Sequence, residues 1–105
     1  TYYLAMPSSI RKELVQATDA LKIVRLQVPA GGAVPEHHAN VDVVVTVVRG
    51  QGTFTIGGDR RAVEPGAVVV MPPKAPHSIA ADSDLELVVV HARLRHEGEA
   101  PGCGA

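Results

Sequence analysis

The sequence predicts an all-β domain, a sandwich or barrel of short strands, from two observations. Runs rich in Val, Ile, Leu and Thr recur along the chain, and Gly, Pro or Asp closes each of them within a few residues. β-Branched side chains suit a pleated, half-buried surface. Aromatic residues make up only 3% of a chain that is 46% hydrophobic, so the core must be built from Val, Ala, Leu and Ile.

Taken in order, Lys12 to Gln16 reads as the first arm of a hairpin turning at Thr18-Asp19. Ser9 and Glu13 offer the alternative of a capped helix over Ser9 to Ala17; the hairpin is preferred. Ala20 to Val28 runs into Pro29-Ala30-Gly31-Gly32, and Val41 to Arg49 ends at Gly50-Gln51-Gly52. Thr53 to Ile56 leads to Gly57-Gly58-Asp59, where Arg60-Arg61 is expected at a solvated hairpin tip. Ala67 to Met71 lies between Glu64-Pro65-Gly66 and Pro72-Pro73-Lys74-Ala75-Pro76. The last runs, His77 to Ala81 and Leu85 to Leu94, are separated by Asp82-Ser83-Asp84. Glu97 to Ala105 is expected to be a loosely held tail, and His96 beside Glu97 to be solvated.

At 105 residues the chain fits one domain spanning 1–105, because a second core would be starved of apolar surface. The net charge is -1 and the Lys and Arg residues are scattered, which disfavours nucleic acid, whose phosphates need clustered positive charge. No apolar stretch reaches the ~18 residues of a membrane span, and no run resembles a signal peptide. A cytoplasmic protein is expected. Cys103 is the single cysteine, so no intrachain disulfide forms and the thiol is expected to be incidental. There is no Gly-rich phosphate loop, no nucleophile elbow and no zinc-type Cys pair.

Six positions form an ordered pattern: Gly31, His37 and Gly50, then Gly66, Pro72 and His77. The pattern resembles the cupin superfamily. Its first motif is a Gly, five residues, His-x-His, three or four residues, Glu, six residues and Gly; its second is Gly, five residues, Pro-x-Gly, two residues and His. The resemblance spans Ala20 to about Arg93 and implies a double-sheet jelly-roll barrel and a homodimer. It also implies a divalent transition metal (Zn, Fe, Mn or Ni) held by three His and one Glu inside the barrel.

That ligand set is incomplete in this chain. His37 and His77 hold matching positions, but Ala39 stands at the second His and Val43 at the Glu. Shifting the frame to His38 makes Glu36 its companion and still leaves Val43 without a donor atom. Strand alternation puts Val41, Val43, Val45 and Val47 on one face with His37, and His38 on the other with Asn40 and Asp42. A β-bulge between Pro35 and Asn40 would reverse that assignment. His38 or His91 is then the candidate to join His37 and His77 at a metal, since such sites normally need three protein ligands. The preferred expectation is a cavity lined by His37, His77 and His91 that binds a small molecule. The alternative is a metal-dependent dioxygenase, isomerase or decarboxylase, since the fold alone selects no reaction.

Overall fold

In the computed structural model, residues 9–92 are described. They form nine strands: β1 (Arg11–Ala17), β2 (Leu21–Val28), β3 (Ala33–His37), β4 (Val43–Arg49), β5 (Gly52–Ile56), β6 (Asp59–Val63), β7 (Val68–Met71), β8 (His77–Ala81) and β9 (Leu85–Ala92). None of the described residues is helical. The five-stranded sheet has the order β1-β2-β9-β4-β7, and the four-stranded sheet the order β3-β8-β5-β6. All pairings are antiparallel, giving the two-sheet jelly-roll barrel.

Alternation along the strands builds the core. In β4, Val43, Val45 and Val47 are buried while Val44 and Thr46 are half-buried on the outer face. They meet Leu85 and Leu87 of β9 and, from the other sheet, Phe54 and Ile79. Phe54 and Leu87 are fully shielded from solvent at 0% exposure. Each buried side chain of this size stabilises the fold by roughly 1.5–3 kcal/mol relative to an exposed one.

The first hairpin turns at Thr18, whose Oγ1 accepts from the N–H groups of Ala20 and Leu21 at 3.2 and 2.9 Å. Although β1 is paired along β2, all seven of its residues are exposed. A bulge between Leu14 and Gln16 interrupts this edge strand, a feature that discourages further strand addition.

Two strands lie outside the apolar runs. β3 contains Pro35 and Glu36 and is an edge strand, where the missing proline N–H is tolerated. β6 is the other edge of the same sheet. It overturns the expected solvated tip at Arg60-Arg61, because the turn is made by Gly57 and Gly58, both at positive φ. The arginines are exposed strand residues opposite Thr55 and Phe54 on an edge that none of the described strands covers. Leu94, His96, Cys103 and the expected tail Glu97 to Ala105 lie outside the described residues.

Candidate functional site

Between the two sheets lies a cavity of about 260 Å³ that opens to solvent. Its walls are aliphatic, with Leu26, Val43, Val45, Met71 and Ile79 among them. His37, His77 and His91 supply the imidazoles, and the exposed residues Lys12 and Glu36 also line the space.

His37 and His77 are cross-strand partners, the last residue of β3 and the first of β8. The β3 register shifts between Val34 and His37. In a regular strand residues three apart face opposite ways. The irregularity at Pro35-Glu36 lets Val34, buried in the core, and His37 share the cavity. Across the mouth, His77 is reached through the segment Pro72 to Pro76. There the N–H of Lys74 donates to the carbonyl of Ala39 at 2.6 Å, tying the approach to β8 to the exit from β3. Lys74 has φ 68°, the left-handed conformation, and occupies the place where the second motif has glycine.

The two rings meet edge to face, with centroids 4.4 Å apart and planes at 72°. Each Nδ1 contacts the carbonyl oxygen two residues earlier: His37 that of Pro35 at 2.9 Å, His77 that of Ala75 at 3.0 Å. A carbonyl can only accept, so both Nδ1 atoms carry hydrogen. The Nε2 atoms, 3.2 Å apart, are then two lone pairs facing each other whenever the rings are neutral. Burial, and next the neighbouring His37, hold His77 below its ordinary range, outweighing the Ala75 carbonyl that favours its cation.

His91 enters from the opposite sheet, on β9, in register with Lys22 of β2 and Val43 of β4. Burial lowers its pKa, followed by the charges of Lys22 and Lys12 and by the two other cavity histidines. Its Nδ1 is buried without a hydrogen-bond partner among the described residues, which leaves Nε2 as the nitrogen available to a ligand. His38 is exposed and does not line the cavity; its charge is the smallest of the influences on His77.

The structure thus gathers His37, His77 and His91 around one space and leaves His38 outside it. Lys12 is an addition that no sequence pattern marks, since only the pairing of Lys12 with Leu26 brings it there. The donors for a resident metal do not fit. Ala39 packs against the core, Val43 is 3% exposed in the cavity wall, and among the described residues no group of three or more His, Cys, Asp or Glu is placed to hold an ion. Among the described residues there is no helix long and apolar enough to cross a membrane.

Comparison with known proteins gives a consistent family. The cupin domain family matches residues 24–93. An RmlC-like cupin protein of Desulfovibrio desulfuricans is 31% identical, with a TM-score of 0.74 over 80% of this chain and 82% of that one. A predicted oxalate decarboxylase of Thermotoga maritima is 22% identical, with a TM-score of 0.75 and 81% of each chain covered. Salicylate 1,2-dioxygenase of Pseudaminobacter salicylatoxidans is 17% identical, with a TM-score of 0.78 over 82% of this chain and 27% of the enzyme. These last two share the fold. No curated protein matches the sequence.

Proposed function

Because this chain belongs to the cupin domain family, we propose that it is a small-molecule-binding barrel whose ligand sits in the histidine-lined cavity. The observation that carries this reading is the convergence of His37, His77 and His91 on a largely aliphatic space, with Lys12 and Glu36 beside them. Such a space, apolar with a few placed polar groups, is the usual form of a ligand site in a barrel mouth. The incomplete donor set weighs against the alternative, a metal-dependent dioxygenase, isomerase or decarboxylase.

The test screens small organic molecules against the full chain by NMR, following the histidine ring signals. Binding should move the His37, His77 and His91 signals, be lost in His77→Ala and persist in His38→Ala. Ligands that bind without moving those signals would overturn the reading. So would one equivalent of a transition metal in protein purified without added metal.

A homodimer belongs to the same proposal. The outer face of the five-stranded sheet carries a row of paired apolar residues, Ile23, Val90, Val44 and Val70, with Val68 and Val70 63% and 53% exposed. Sedimentation should report twice the 11.0 kDa chain mass, and Val70→Lys should halve it; an 11.0 kDa wild-type particle would contradict this. The expected cytoplasmic location stands with these proposals.

A further inference from the structure

The cavity's polar groups fall into two chemically different sets. On the four-stranded sheet, the Nε2 atoms of His37 and His77 face each other as acceptors, because each Nδ1 hydrogen is committed to a backbone carbonyl. A neutral pair in this state lacks one hydrogen. His37 is exposed and His77 buried, so an apolar ligand would leave the shielded lone pair of His77 unanswered, and a carboxylate placed there would add a third acceptor. A hydroxyl supplies what is missing. Glu36, next to His37 on β3, adds a further acceptor on this side.

On the five-stranded sheet the situation is reversed. The buried Nδ1 of His91 has no acceptor, and a shielded N–H without a partner is rarer than a shielded lone pair. The hydrogen of neutral His91 therefore belongs on Nε2, where it is a donor. Lys12 lines the same cavity, and Lys22 pairs with His91 in the strand register. This side offers only donors and positive charge, the surroundings a carboxylate needs.

Size and wall chemistry limit the rest of the molecule. A cavity of about 150 Å³ accommodates benzene, so 260 Å³ suits one ring, or a comparable aliphatic body, with its substituents. The aliphatic walls leave the additional hydroxyls of a sugar unpaired.

Resting on the binding reading above, we propose that the ligand is a small hydroxy acid: its hydroxyl donates to the His37–His77 pair, and its carboxylate lies at His91 and Lys12. The full chain is titrated calorimetrically with the three monohydroxybenzoates, benzoate, phenol and toluene. At least one hydroxybenzoate should bind about tenfold or more tightly than either benzoate or phenol. His77→Ala should bring that hydroxybenzoate down to the level of benzoate, and Lys12→Ala should bring it down to the level of phenol. Equal binding of benzoate and the hydroxybenzoates, or a hydroxyl advantage that survives His77→Ala, would overturn the proposal. If toluene alone enters the cavity, the hydroxy acid fails and the binding site stands. If none of these probes binds, both fall.

Discussion

Gly50→Ala and Gly66→Ala should differ sharply, although both glycines are turn residues with nearly the same backbone angle. Gly50 has φ +92° and Gly66 φ +94°. Forcing an L-residue into this region costs each variant about 1–2 kcal/mol. Gly66 adds nothing to that, because a Cβ there has no atom within 4 Å. At Gly50 a Cβ would overlap the carbonyl oxygen of Asp84 and lie 2.8 Å from its carbon and 2.9 Å from Leu85 Cα. These are backbone atoms beside a fully buried leucine, so no side-chain rotation relieves the contact. Overpacking of this kind adds about 1–3 kcal/mol, for a total of roughly 2–5 kcal/mol against a domain stability of about 5–15 kcal/mol. At about 4–8 °C per kcal/mol, Gly50→Ala should lower Tm by on the order of 20 °C, and Gly66→Ala by about 10 °C. Thermal melts followed by circular dichroism in one buffer measure both. Losses within about 1 kcal/mol of each other would refute the argument that Gly50 is required by the close approach of the Asp84-Leu85 backbone.

Two further expectations concern the site and its approach. His77 and His91 are both held below their ordinary value of 6.5, so the unfolded chain takes up protons that the folded chain refuses as pH falls. Their contribution is complete above about pH 6.5 and is lost as pH drops through the folded values. The urea midpoint should therefore decline from pH 8 toward pH 5, and His77→Gln should flatten the decline; a midpoint that rises on acidification would contradict it. Lys74, at φ 68°, holds a conformation that glycine adopts freely. Lys74→Gly should raise stability by up to about 1 kcal/mol and Lys74→Val should lower it. A urea series that ranks valine above glycine would count against the backbone assignment.

The sequence by itself determined the strands whose side chains divide between core and solvent. β2, β4, β5, β7, β8 and β9 were legible because alternating burial imposes a period of two on Val-rich runs, and Thr18-Asp19 marked the first hairpin. Motif spacing likewise singled out His37 and His77, as well as the glycine turns. β3 and β6 escaped because each buries a single side chain, so Pro35, Arg60 and Arg61 are tolerated and no alternation appears. The face of His37 could not follow from counting back from Val43, since the loop of residues 38–42 intervenes and breaks the strand alternation. Only the pairing of β3 with β8 joins His37 to His77, forty residues away. Only the stacking of β1, β2 and β9 in one sheet brings Lys12 and His91 to the same cavity. Neither arrangement has a local signal: hydrogen bonds between distant backbone segments set the registers, and a shift of one residue would turn each of these side chains to the opposite face.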